Sequence, residues 1–337
     1  MSVMTILSAC ENSTKYNGEY DKSQVVLGVK CLSDSTLLVS VSKSVFFLDI
    51  DEETTVNNAQ IEATINGINE PLVLLSDGLY QGSSILKEKD TIIVNALVPG
   101  IGLASAHEIV PKAVDQLFTC SMKPYTGQCD DDYRNDEYFG HLITDSVFCI
   151  SIKLNKSDDE VAYYRLSFEV KSEYYYKTLF GEGDTTRWLF SDNTHYYIPS
   201  TTLKALGKDP AKLEVALEDE EENESNKSFL FSDEYLSDND IPLEFEFMLE
   251  SPYLDLETEG DAWEHLDKSV NYRINMKLET MTEGMYHYIK SSNEYSGSGY
   301  ELFAEPVSIY SNIQNGIGTI MACSVQDTVF QREYVFK

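Results

Sequence analysis

The stretch Gln60-Ile61-Glu62-Ala63-Thr64-Ile65-Asn66-Gly67-Ile68 decides the fold. Up to Ile65 its side chains alternate in character with period two, which in a strand sends them to opposite faces of a sheet. Asn66-Gly67 then supplies two residues that tolerate positive φ, as a tight primed hairpin turn requires. The reading is a β-hairpin. Working outward, short β-branched or aromatic runs recur at 24–30, 36–47, 72–75, 91–98 and 101–110, and Asp77-Gly78 marks a second turn. Short strands punctuated by turn residues are the signature of a sandwich. Pro111 closes the block, so residues 24–111 are read as an immunoglobulin-like or transthyretin-like β-sandwich.

The same logic extends the β reading through residues 112–337. Runs at 147–154 and 161–171 flank the turn Ser157-Asp158-Asp159-Glu160, and 243–249 and 270–278 alternate again. One helix interrupts, expected at about 281–294, because Thr280 and Glu283 have capping-box spacing and Met281, Met285, Tyr288 and Ile289 recur at helical period. Such an apolar stripe docks on a sheet. The expected fold is therefore all-β: two β-sandwich-like domains, the second a larger antiparallel domain with one docked helix. Its acidic loop at 216–228, centred on Glu218-Asp219-Glu220-Glu221-Glu222-Asn223-Glu224, reads as solvated, since so many carboxylates cannot be buried together.

Composition bounds the function. The chain of 337 residues is 42% hydrophobic, enough for ordinary cores. Its 57 acidic and 25 basic residues leave a net charge of -32, which repels phosphate backbones, so nucleic acid is excluded as a partner. The uncharged stretch 91–106 is broken by Asn95, Pro99, Gly100 and Gly102 and is too short to span a bilayer. Near the start, Leu7-Ser8-Ala9-Cys10 reads as a lipobox: cleavage before Cys10 would leave a thiol to carry lipid. Residues 1–10 are thus read as a lipoprotein signal segment and 11–23 as a linker. Only nine residues precede Cys10, with no Lys or Arg among them, so the leader reads as truncated.

Five further cysteines remain once Cys10 is set apart from the six. Cys120 and Cys129 bracket a short loop with Pro124 and Gly127 and form the candidate disulfide, whereas Cys31, Cys149 and Cys323 lie in strand-like runs, where a thiol behaves as a small hydrophobe. Asp130, Asp131 and Asp132, with Asp136 and Glu137 nearby, are the calcium candidate, although the ordered spacing of an EF-hand is missing. No other cofactor is indicated. The five histidines are scattered, neither H-E-x-x-H nor G-x-S-x-G occurs, and Gly181-Glu182-Gly183 would repel phosphate through Glu182 and Asp184. Carboxylate pairs are too plentiful here to single out a glycosidase site. The expectation is a non-enzymatic protein.

Aromatic residues offer a binding surface instead. Tyr174-Tyr175-Tyr176 on a strand must alternate between faces, and Tyr175, Trp188, Tyr196 and Trp263 are the stacking candidates for a sugar or peptide. The competing reading has tyrosines capping sandwich edges, ring inside and hydroxyl in water.

Residues 303–318, Phe-Ala-Glu-Pro-Val-Ser-Ile-Tyr-Ser-Asn-Ile-Gln-Asn-Gly-Ile-Gly, resemble the closing signature of a large family of Bacteroidota outer-membrane lipoproteins, a domain of unknown function. Val41-Ser42-Lys43-Ser44, Ala162-Tyr163-Tyr164-Arg165-Leu166 and Tyr286-His287-Tyr288-Ile289-Lys290 resemble that family in the same order. The resemblance implies an outer-membrane, lipid-anchored protein, with surface exposure open, commonly encoded next to TonB-dependent transporters. Its partner would be the transporter barrel, with the membrane touched through the lipid alone. It implies no catalytic residues. Accessory or ligand-capture work beside the barrel is the leading expectation; a structural or adhesive surface lipoprotein is the alternative, and a hydrolase a third. Asn315-Gly316-Ile317-Gly318 itself asks for a tight turn or a close backbone approach.

Overall fold

The computed structural model describes residues 23–45, 54–124, 146–155, 161–177, 184–190, 195–197, 202, 205–206, 228–234, 236, 242–248, 266–298 and 308–335. Its strands are β1 (Val25–Leu32), β2 (Thr36–Lys43), β3 (Gln60–Ile65), β4 (Ile68–Glu70), β5 (Leu72–Ser76), β6 (Leu79–Ile85), β7 (Thr91–Val98), β8 (Gly102–Ile109) and β9 (Asp115–Pro124). There follow β10 (Ser146–Asn155), β11 (Tyr163–Lys177), β12 (Asp184–Phe190), β13 (His195–Tyr197), β14 (Ser228–Ser232), β15 (Leu243–Met248), β16 (Leu266–Met281) and β17 (Ile317–Val335). Helix α1 (Glu283–Ser298) lies between the last two. The protein is all-β with a docked helix; β1, β2, β3, β5, β7 and β8 fall on the sequence runs read above, while β4 and β6 are strands those runs did not include. Both hairpin turns form as their residues demand: Asn66 and Gly67 have φ of 54° and 76°, Asp77 and Gly78 of 36° and 74°.

Two sandwiches share one sheet. A nine-stranded sheet runs β12-β11-β16-β17-β1-β2-β6-β5, with β14 also paired to β11. Two four-stranded sheets, β4-β3-β7-β8 and β13-β15-β10-β9, complete the architecture. The first closes a core of Leu27, Val29, Cys31, Val39, Ile92, Val94 and Ala104; the second closes one of Ile150, Ile152, Tyr164, Leu166, Phe231, Phe245 and Leu278. Each fully buried aliphatic side chain of this kind contributes about 1.5–3 kcal/mol.

The joint between them is β17. Its first half pairs in parallel with β1, Val26 opposite Ile317 through Leu32 opposite Cys323, and its second half pairs antiparallel with β16, Met281 opposite Cys323 through Ser269 opposite Val335. On one face Ile320 and Ala322 enter the first core and Phe330 packs on the second. On the other, Met321, Cys323 and Val325 lie under α1. The first core is thus completed by the end of the chain: Ile313, Ile320 and Ala322 belong with residues of β1 to β8.

Helix α1 starts later than its sequence signal. Strand β16 continues through Met281, and the Thr280 hydroxyl, buried in that strand, accepts the Val114 amide at 3.3 Å instead of capping a helix. Thr282 takes the helix start, its carbonyl accepting the Tyr286 amide at 3.0 Å. Met285, Tyr286 and Ile289 then face Met281, Cys323 and Leu32. Tyr286, and not Tyr288, joins Met285 and Ile289 on the docked face.

Candidate functional site: an aromatic surface beside the helix

Three of the segments quoted above converge at α1. In Ala162-Tyr163-Tyr164-Arg165-Leu166, strand alternation divides the work. Tyr164 and Leu166 enter the second core, and the Tyr164 hydroxyl donates to Asp233 Oδ2 at 3.2 Å while the Ala162 amide donates to Asp233 Oδ1 at 2.8 Å. Burial, and then Asp233, push the Tyr164 phenol far above its usual range. Tyr163 and Arg165 take the opposite face. Arg165 bonds the buried Glu279, its register partner on β16, and Lys277 Nζ lies 2.9 Å from the other carboxylate oxygen. Burial alone would raise the Glu279 carboxyl; the bonds and charges of Arg165 and then Lys277 outweigh it and hold the group below its ordinary range.

Tyr163 begins a chain of rings. Its centroid is 4.8 Å from that of Tyr286 and 6.3 Å from that of His287, both on α1. His287 stands edge-on to Tyr286 at 5.6 Å and continues to Tyr310 at 5.5 Å. These tilted and edge contacts are the arrangements aromatic rings favour. A carboxylate sits beside them: Glu283 Oε1 is 3.5 Å from His287 Nε2, one helical turn away, and the Glu283 side chain also takes the Tyr163 hydroxyl. The Tyr163 phenol is raised by burial first and then by Glu283 and Glu234; that of Tyr286 is raised by burial and then by Glu234.

The third segment is presented by a pinned backbone. The Tyr310 amide donates to Ser291 Oγ on α1 at 2.8 Å, and the Ser291 hydroxyl donates to the Tyr288 carbonyl at 3.0 Å. Asn312 reaches across to Ile320, accepting its amide at 2.8 Å and donating to its carbonyl at 3.1 Å. Gln314 and Ser105 exchange both backbone bonds at 2.9 Å. Gly284 leaves the space that the Asn312 amide fills, and Glu108 Oε2 lies just beyond. Burial raises the Glu108 carboxyl beneath this helix start. At Gly316 an added Cβ would come within 2.7 Å of the Val25 carbonyl and 2.8 Å of Ala104, so the close approach expected of Asn315-Gly316-Ile317-Gly318 is found. Ser308, Ile309, Tyr310 and Ser311 remain exposed above this base.

Half-exposed rings with phenol donors and neighbouring carboxylate acceptors can stack on a flat ligand face and take hydrogen bonds from its hydroxyls or ammonium groups. Among the described residues no group of three or more His, Cys, Asp or Glu side chains is placed to hold a metal ion. The sequence reading quoted Tyr163, Tyr286, His287 and Tyr310 without joining them, because they come from segments far apart in the chain. A tyrosine in each segment was the available signal.

None of the site residues singled out from sequence is among these four rings. Cys10, Cys129, Asp130, Asp131, Asp132 and Trp263, with most of the acidic loop at 216–228, fall outside the described residues. Cys120 is on β9 opposite Ile150. Tyr175 pairs in register with Thr186 and Trp188 with Glu173, on the paired strands β11 and β12, whereas Tyr196 pairs with Phe247 in the four-stranded sheet. Register therefore brings Tyr175 and Trp188 near each other and puts Tyr196 in another sheet. Cys31 and Cys323 are buried, as their strand-like surroundings implied. Burial pushes the Cys323 thiol up to about 11 and that of Cys31 higher still. No helix among the described residues is long and apolar enough to cross a membrane.

No curated protein matches the chain. A family model does: residues 13–328 match the domain of unknown function DUF4249, and with nearly its whole length covered the chain belongs to that family.

Proposed function

We propose that this protein is a non-enzymatic lipoprotein of a Bacteroidota outer membrane, held by lipid on Cys10, that captures or presents a ligand for a TonB-dependent transporter. The single observation that carries the binding role is the ring chain Tyr163, Tyr286, His287 and Tyr310 beside Glu283, built from segments the core alone does not require to be exposed. The Leu7-Ser8-Ala9-Cys10 stretch supports the anchor, and the charge of -32 supports a partner other than nucleic acid. A pinned backbone under the exposed residues suits recognition, because it reduces the ordering cost of binding.

The test is extraction. From detergent-solubilised outer membrane the protein is expected to co-elute with a transporter barrel, and Cys10→Ser is expected to release it from the membrane fraction. Isolation without a barrel in every preparation would reject the accessory role and favour a structural or adhesive surface protein.

A further inference from the structure

The nine-stranded sheet ends at β5, and this end is unusual for a soluble edge. Leu72-Val73-Leu74-Leu75 is an uninterrupted apolar run, with Val73 65%, Leu74 43% and Leu75 52% exposed. Ile68 on β4, four residues before the run on the far side of Pro71, is 73% exposed. Side chains on both faces of β5 are open, whereas its neighbour β6 buries Tyr80 and Gly82. The sandwich therefore stops at β6 and β5 projects past it. One side of β5 pairs with β6, Leu72 opposite Gly82 through Leu74 opposite Tyr80; no described strand pairs the other.

An outward row of backbone donors and acceptors flanked by apolar side chains is a template for a further strand. Natural edges are usually blunted by charge, and no ionisable side chain lies between Leu72 and Ser76. The edge is also held still. Glu70, buried at the end of β4, accepts the Ser83 and Ser84 amides at 2.5 and 2.8 Å and the Ser84 hydroxyl at 2.5 Å, bracing the crossover through Pro71 against β6. Gly82 leaves room for that carboxylate, since a Cβ there would come within 2.7 Å of Glu70 Oε1.

We infer that the β5 edge docks an extended β-strand of a basic partner protein, which continues the nine-stranded sheet beside β5. Charge selects the partner: a second copy would bring another -32 against the first, whereas a basic strand is attracted to the acidic chain. The edge is distinct from the aromatic surface, because β5 closes one end of the sheet and Tyr163 on β11 lies near the other.

The test uses the full chain and a fluorescein-labelled peptide, Lys-Val-Thr-Val-Thr-Val-Lys, in fluorescence anisotropy at about 0.15 M salt, where the Debye length is about 8 Å. A control, Lys-Val-Pro-Pro-Thr-Val-Lys, has the same charge but loses central donors on both edges of the strand. The strand peptide is expected to bind saturably and at least tenfold more tightly than the proline peptide. Val73→Ser with Leu75→Ser, which leaves the charge unchanged, is expected to weaken it at least tenfold. Hydrogen exchange at 72–76 is expected to slow when the peptide binds, which locates the site without relying on the variant. Equal binding of the two peptides, or protection elsewhere but not at 72–76, would overturn the inference. So would a dimer in sedimentation that the serine variant dissolves, since the occupant would then be a second copy.

Discussion

Glu70 shows how one carboxylate can hold an element in place. Burial by itself would raise its pKa; the hydroxyl and amide of Ser84 and then those of Ser83 outweigh this and hold the group below the ordinary carboxylate range. A depressed folded-state pKa contributes stability that is present above the unfolded value, about 4.3, and is lost as pH falls through the folded one. Glu70→Gln should therefore destabilise the protein by about 1–3 kcal/mol at neutral pH, the cost of leaving buried donors poorly matched. In urea unfolding the gap between variant and parent should narrow below about pH 4, as the parent's own carboxyl is protonated. A gap that stays constant down to acid pH would show that the charge of Glu70 is not what the serines stabilise. Of this network nothing is legible in the sequence, because the partners of Glu70 are set by strand crossing and not by spacing.

At the scale of elements, β17 asks most of its residues. Gly318 has φ of +118°, a region that L side chains rarely adopt, and an added Cβ would run into the Leu27 carbonyl across the parallel pairing. Gly318→Ala should cost at least about 1–3 kcal/mol from backbone strain alone, read as a lowered Tm. Gly67→Ala is the control: it shares positive φ, 76°, but nothing lies within 4 Å of the added carbon. Similar losses for both would mean that strain, and not the Leu27 contact, dominates at Gly318. The two-glycine signature was legible as a demand for backbone freedom. Its parallel partner β1 was not, because pairing across almost the whole length of the chain leaves no local pattern. Helix α1 was read with its apolar stripe but two residues early, since β16 claims Thr280 and Met281 for its own ladder.

Taken whole, the molecule couples its two cores through that one strand. Ile320 and Ala322 help close the first core and Phe330 packs on the second, all on one face of β17. Separate sandwiches would unfold independently; here the loss of β17 removes the partner of both β1 and β16. Calorimetry should accordingly show a single cooperative transition whose calorimetric and van't Hoff enthalpies agree. Two resolved transitions would mean that the shared sheet does not transmit stability between the cores.

What the sequence determined by itself is local. Period-two alternation, Asn-Gly and Asp-Gly turns and one helical stripe specify strands, hairpins and a docked helix, because each depends on neighbours only a few residues apart. The long-range choices belonged to the tertiary structure: which strand closes which sheet, which of Tyr163 and Tyr164 meets the core, and which carboxylate is buried with Arg165. Those depend on side chains that approach only after the chain has crossed from one sheet to another. The ring chain from Tyr163 to Tyr310 exists for the same reason, since its members share a surface and not a stretch of sequence.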